Sequence, residues 1–334
     1  MKRPTRKRSR TRLDLVVPVF NEGEALPAFQ QDLARVLAGM NYAWRVIFVD
    51  DGSPDETPAL LQAFHTRDPR MTWIRLSRNF GYQAALTAGL DAVEADAVVM
   101  MDGDGEHPPE LIPEMLALFE SGYAIVTTSR VAAGRLGVRD WPRHIFYRLL
   151  NLLSDTKVGP GVTDYRLLSR AAVEALRQMP ERHRYLRGMV AWLGFKSVVL
   201  PFVPPARKGG QSKWSFRQLL RLAGQAILSF SLAPLSVGLV VGLLFMLFAL
   251  CEALYVVGLW LAGRGGEIAP GWSSLMFVLL IVGSGLMVTL SIVGIYAGLT
   301  YQEVKRRPVY IVQEGRLPSS SAAAPSRGVR HDVK

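Results

Sequence analysis

Short apolar runs at 13–19, 45–50, 72–76, 97–102 and 124–128 alternate with amphipathic stretches near 24–39, 55–67, 80–93 and 109–120. The runs have the length and composition of strands, and the stretches between them have the spacing of helices. Alternation at this interval predicts an α/β domain over 13–205, built on a mostly parallel sheet with helices on both faces. The pattern then changes. From 231 to 262 Glu252 is the only charged residue, and 272–299 carries no charge at all. Each run exceeds the roughly 20 apolar residues that cross a bilayer as a helix. A two-helix transmembrane hairpin is therefore predicted, with Gly238, Gly242, Gly283, Gly285, Gly294 and Gly298 permitting close helix packing.

Charge adds orientation to this outline. Arg207, Lys208, Lys213, Arg217 and Arg221 precede the first span, and Lys305, Arg306 and Arg307 follow the second. In the short connection between the spans Arg264 is balanced by Glu267. Positive flanks stay on the cytoplasmic side, so the α/β domain and both termini are expected there. Lys2, Arg3, Arg6, Lys7, Arg8, Arg10 and Arg12 supply most of the net charge of +11. The high charge thus belongs to a basic arm over 1–12, expected to be disordered and drawn to a membrane surface rather than to nucleic acid. Basic amphipathic stretches at 141–153 and 213–231, each with a Trp, are expected at the membrane interface. Segment 206–230 is assigned to a loop and interfacial helix, 300–317 to a cytoplasmic segment and 318–334 to a disordered Ser-, Ala- and Pro-rich tail. A single Cys excludes a disulfide framework.

Ligands of parallel α/β sheets bind beyond the carboxyl ends of the strands. The conspicuous polar residues follow the predicted strands: Phe20-Asn21-Glu22 after Pro18-Val19, Asp50-Asp51-Gly52-Ser53, Asp102-Gly103-Asp104-Gly105-Glu106, and Ser129-Arg130. Asp50, Asp51, Asp102 and Asp104 are expected at neighbouring strand ends, where four carboxylates repel unless a cation or hydrogen-bond donors hold them. Asp102 and Asp104, with Glu106 two residues on, suit a hard divalent cation, Mg²⁺ or Mn²⁺. An acidic turn capping the helix after Pro108-Pro109 explains the same residues. Neither a dinucleotide fingerprint nor a Walker lysine follows a strand. A metal beside a nucleotide-sized crevice suggests a nucleoside diphosphate leaving group.

The segments VVPVFNE (16–22), DDGS (50–53), LSRNFGYQAALTAGL (76–90), MDGDGEHPPE (101–110), TDYRLLSR (163–170), RKGGQSKW (207–214) and YQEVKRRPVYIV (301–312) resemble glycosyltransferase family 2, with its GT-A fold. Within it the likeness is to polyprenyl-phosphate glycosyltransferases, the dolichol-phosphate mannose synthases and bactoprenol glucosyltransferases. It extends over about 13–315. The resemblance implies inverting transfer of a sugar, UDP-glucose being the first candidate donor, to undecaprenyl or dolichyl phosphate. It implies Mg²⁺ or Mn²⁺, a homotetramer, and a bacterial inner-membrane location. It places Pro18, Phe20, Glu22, Asp51 and, in support, Asp50 around the nucleoside, and Asp102, Asp104 and Glu106 at the metal and diphosphate. Ser129, Arg130, Arg207, Ser212 and Lys213 would face the acceptor phosphate. Asp104, Arg207 and Asp164 are the catalytic candidates, with Asp164 either a base, a sugar-orienting group, a helix cap or the partner of Arg166. Glu106 departs from the family's usual Gln. The alternatives are a processive polysaccharide synthase, whose Gln-x-x-Arg-Trp motif is absent here, and an inactive membrane scaffold.

Overall fold

The computed structural model describes residues 11–130, 162–182, 184–203 and 271–316, with scattered positions between 244 and 263. The basic arm up to residue 10, the 141–153 stretch, the 206–230 segment and the tail from 317 lie outside the described residues.

Among the described residues eight strands form one sheet. In chain order the described elements are β1 (Arg12–Val19), α1 (Leu26–Ala38), β2 (Ala43–Asp50), α2 (Thr57–Arg67), β3 (Met71–Leu76), α3 (Tyr82–Ala92), β4 (Ala97–Met100), a 3₁₀ turn (Pro109–Leu111) and α4 (Ile112–Glu120). There follow β5 (Ile125–Arg130), β6 (Val162–Ser169), α5 (Arg170–Gln178), α6 (Leu186–Trp192), β7 (Ser197–Phe202), α7 (Trp272–Val304) and β8 (Val312–Arg316). The strand order is β7-β5-β6-β4-β1-β2-β3-β8. Pairings within β4-β1-β2-β3 and between β5 and β7 are parallel, while β6 runs antiparallel to β4 and β5, and β8 antiparallel to β3. Arg12 already lies in β1, so the strand begins inside the segment assigned to the arm.

The central strands are apolar because both faces are covered. Leu13, Leu15 and Val17 of β1 pack in a core with Val46 and Phe48 of β2 and with Leu33 and Leu37 of α1. On the opposite face α3 presses Ala85, Leu86 and Gly89 against the sheet, and a Cβ at Gly89 would overlap Val16 Cγ1. Asp14 is the one acid buried inside β1. Arg45 grips it through Nε at 2.9 Å and Nη2 at 2.6 Å, and the Glu94 N–H donates to it at 2.8 Å, so its role is structural.

One expectation changes here. β2 and β4, whose ends carry the acidic pairs, are separated by β1 rather than being neighbours. The chain builds outward from β1 through β2 to β3, then returns through α3 to place β4 on the other side. That reversal creates a crevice beyond the end of β1, where such sheets take ligands. The 300–317 segment holds regular structure of its own. α7 continues past residue 299 to Val304, and the chain then supplies β8 to the edge of β3.

By contact clustering the chain divides into a unit containing the sheet and a second unit spanning Arg217–Arg306 with a short piece at Leu152–Asp155. Within the second unit α7 has 33 residues, and its Ile281–Val304 part is long and apolar enough to cross a membrane, with mean hydropathy 1.8. Leu275, Leu279, Leu286 and Leu290 on it are exposed. It is the single such helix among the described residues. Most of the first expected span lies outside them, although the described positions from 244 to 261 are helical.

Candidate active site

The ends of β1, β2 and β4 meet in the crevice, each with a different task. β1 ends in buried Val19 and then exposes Phe20, 40% accessible at the rim, while Pro18 is buried inside the strand. Asn21 turns the chain in the left-handed region, φ 55°, and its N–H donates to Ser53 Oγ at 3.0 Å. Glu22 donates its N–H to Thr57 Oγ1 at 3.2 Å and accepts from Leu26 N–H through its carbonyl, which starts α1.

The two acids ending β2 are both buried and serve different loops. Asp50 caps its own turn, accepting the Ser53 N–H at 2.9 Å. Asp51 accepts two N–H groups from the loop after the neighbouring strand β3, Phe80 at 2.7 Å and Gly81 at 2.9 Å, and so fixes that loop against β2. Gly52 allows these loops to meet. Its φ of +75° suits only glycine, and a Cβ there would lie 2.6 Å from the Arg78 carbonyl carbon. Burial raises both carboxyls above the ordinary range, opposed by Ser53 for Asp50 and by the Phe80 and Gly81 N–H groups for Asp51.

At the β4 end Asp102 is a partly buried carboxylate that accepts the Tyr82 O–H at 2.6 Å. Burial pushes it up to about 6, against the lowering effect of that hydrogen bond. Its N–H donates to His107 Nδ1 at 2.9 Å. His107 therefore needs an unprotonated Nδ1. Burial holds the ring neutral by lowering it to about 4, and it stacks on Tyr165 with centroids 4.9 Å apart. Asp104 is exposed beyond the turn, and its Oδ1 accepts the Glu106 N–H at 2.9 Å.

Glu106 does not join them. Its carboxylate turns to Arg130 at the end of β5, with Oε2 2.7 Å from Nη2. No three acidic, His or Cys side chains gather as a ligand set among the described residues. Of the three residues expected at the metal, Asp102 and Asp104 have no arginine ion pair among the described residues, whereas Glu106 is ion-paired with Arg130. The Arg130 guanidinium holds the Glu106 carboxylate by a charge-assisted contact. Two hard carboxylates still fit the cation. Magnesium commonly takes one or two protein carboxylates and completes its shell with waters and substrate phosphates.

Asp164, buried in β6, is held by Arg166 at 3.1 Å and by Arg187 of α6 through Nε at 2.9 Å and Nη2 at 2.7 Å. Burial acts against its charge, but the two arginines prevail and hold it below the usual carboxylate range. The ion-pair alternative is the one observed. A carboxylate so strongly stabilised is a poor proton acceptor. Ser129 and Arg130 stand at the end of β5, whereas Arg207, Ser212 and Lys213 lie outside the described residues. Tyr82, His107 and Arg187 were not anticipated. Tyr82 and His107 belong to recognised motifs but bear no mark of their partners, and Arg187 meets Asp164 only through folding.

The description "Glycosyl transferase family 2" matches residues 14–177. A glycosyltransferase of Synechocystis sp. is 35% identical over 303 residues, 90% of this chain and 95% of its own length. A prophage bactoprenol glucosyl transferase homolog of Escherichia coli is 34% identical over 310 residues, 90% of this chain and 98% of its own. Glucosyl-3-phosphoglycerate synthase of Mycobacterium tuberculosis aligns at 19% identity over 66% of this chain and 78% of that one, with a TM-score of 0.44. With a mostly parallel α/β sheet of the GT-A kind, acidic strand ends on either side of β1, and relatives above 30% identity along nearly their whole length, the chain belongs to glycosyltransferase family 2.

Proposed function

We propose that this chain transfers a sugar from a nucleotide donor, with UDP-glucose the first candidate, to the phosphate of a polyprenol at the cytoplasmic face of a bacterial inner membrane. The observation that carries this reading is the Asp102–Asp104 pair facing the Asp51 loop from the other side of β1. The relatives named bactoprenol glucosyl transferase support the acceptor class. α7, whose Ile281–Val304 part is long and apolar enough to cross a membrane, supports membrane anchoring.

Phe20 and Glu22, with the loop that Asp51 orders, line the nucleoside end, while Pro18 and Asp50 support them from within the sheet. Asp102 and Asp104 would hold Mg²⁺ or Mn²⁺, which when bound supplies positive charge to the departing diphosphate. Tyr82 keeps Asp102 oriented through its hydroxyl. Arg130 and Ser129, with Arg207, Ser212 and Lys213, attract and align the acceptor phosphate. Its oxygen forms the new bond to the anomeric carbon as the bond to the diphosphate breaks, and the diphosphate leaves with the electron pair. A phosphate monoester has its second pKa near 6, so the attacking oxygen is largely ionised at pH 7 and needs no strong base. That agrees with an Asp164 whose duty is to hold Arg187 rather than to take a proton. Orientation and fixed charge then supply most of the acceleration.

Purified protein in detergent, given Mg²⁺ or Mn²⁺, undecaprenyl phosphate and UDP-glucose, GDP-mannose or UDP-N-acetylglucosamine, is expected to form a lipid-linked sugar of inverted configuration from at least one donor. No product from any of them rejects the proposal. A second outcome concerns Glu106. Glu106→Gln removes the charge that offsets Arg130, so the KM for undecaprenyl phosphate should fall roughly three- to tenfold, with the donor KM little changed. An unchanged or raised acceptor KM would separate Arg130 from phosphate recognition.

A further inference from the structure

Three strands place charged residues of alternating sign side by side. Asp50 of β2 is the register partner of Arg75 in β3, and Arg75 is the register partner of Glu314 in β8. The same row continues inward to Val19 of β1, the residue before Phe20. Arg75 Nε lies 3.3 Å from Asp50 Oδ2, and Arg75 Nη1 lies 3.4 Å from Glu314 Oε1. Its third nitrogen, Nη2, donates to the Ser53 carbonyl at 3.1 Å. Ser53 in turn gives its N–H to Asp50 and accepts the Asn21 N–H through Oγ.

The side chain of Asp50 is wholly buried, and its Oδ2 has no hydrogen-bond partner among the described residues. A buried carboxylate in that state depends on a nearby cation, and Arg75 stands beside it. Arg75 is itself partly exposed, and Glu314 closes it from the solvent side. The residues just before β8 are fixed as well, the Ser77 N–H donating to the Ile311 carbonyl at 2.9 Å and the Tyr310 O–H to Asp91 of α3 at 2.9 Å. The charged row therefore joins the strand that follows α7 in the chain to both loops at the nucleoside end of the crevice.

We infer that Arg75 is a positioning residue for the nucleotide donor and that Glu314, from the C-terminal strand, sets its orientation. This rests on the donor reading given above and deepens it. Arg75 touches no reacting atom. It holds the Asp50–Ser53 turn, through which the Asn21 loop and the nucleoside-facing residues take their places. Cross-strand opposite charges of this kind support one another modestly as glue, so a selective effect on the donor separates positioning from mere stability.

The test measures UDP and GDP binding by calorimetry in detergent with Mn²⁺ present, alongside donor KM, acceptor KM, kcat and Tm. Arg75→Ala is expected to weaken donor binding about tenfold or more while leaving the acceptor KM unchanged. Arg75→Lys should recover part of that loss, and Glu314→Gln should weaken donor binding by roughly threefold with little change in Tm. Glu314→Gln lies at the exposed end of the row and decides the matter even if Arg75→Ala does not fold. Wild-type protein that binds neither nucleotide overturns the donor reading, and this inference with it. Wild-type binding with unchanged donor affinity in Glu314→Gln and Arg75→Lys overturns the inference alone.

Discussion

Asp104→Ala is expected to lower kcat by about 10²- to 10³-fold, the scale seen when one charge-stabilising contact to a transition state is removed. Asp104 is exposed and its only described hydrogen bond is to the Glu106 N–H in the same turn, so Tm should barely move. Lost turnover without lost stability would mark a chemical role. The variant should also need more Mg²⁺ or Mn²⁺ for half-maximal activity, because one of two carboxylates is gone. Asp102→Asn should be at least as inactive. It also weakens the Tyr82 hydrogen bond to the carboxylate, so some stability loss accompanies it, while the backbone N–H still meets His107. Full activity in Asp104→Ala, at unchanged metal requirement, would remove the Asp102–Asp104 pair from the reaction.

The second large effect concerns stability. Asp164→Ala is expected to cost about 3–5 kcal/mol, because the guanidinium of Arg166 is wholly buried and would lose its carboxylate. Arg166 still donates to the Thr163 carbonyl at 2.7 Å, but its Nε has no hydrogen-bond partner among the described residues. Arg187 suffers less, since it is partly exposed and water can take over. Chemical denaturation in detergent measures the cost. The double variant Asp164→Leu/Arg166→Met should recover much of it, because removing both charges also removes their desolvation penalty. The pH dependence has a definite sign. A carboxyl lowered in the folded state contributes its full stability above the unfolded value of about 4, and loses it as the pH falls through the lower folded value. Acid unfolding of the wild type should therefore steepen below about pH 4, and Asp164→Asn should flatten that part of the curve.

Much of the fold follows from local pattern. β1 to β5 and α1 to α4 coincide with the apolar runs and the intervening stretches to within a few residues, because buried parallel strands are short and continuously apolar. β6 was less visible. Asp164 and Arg166 interrupt its apolar character, and they are tolerated inside because they pair with each other and Asp164 also pairs with Arg187. β8 was invisible for another reason. Val312–Arg316 holds one apolar residue, and it forms a strand because the edge of β3 offers unpaired backbone groups.

The candidate site divides along the same line. Asp50, Asp51, Asp102 and Asp104 could be chosen from the sequence because they follow strands, and strand ends are where such folds bind ligands. The sequence by itself determined the α/β architecture, the family, the acidic strand ends and the long apolar segment now seen in α7. Only tertiary structure decided that β1 separates the two acidic pairs, that Glu106 turns to Arg130, that Asp164 holds two arginines and that Glu314 meets Arg75. The reason is physical. Periodicity and turn chemistry act over a few neighbouring residues, whereas a charged side chain chooses its partner from whatever the folded chain brings within reach.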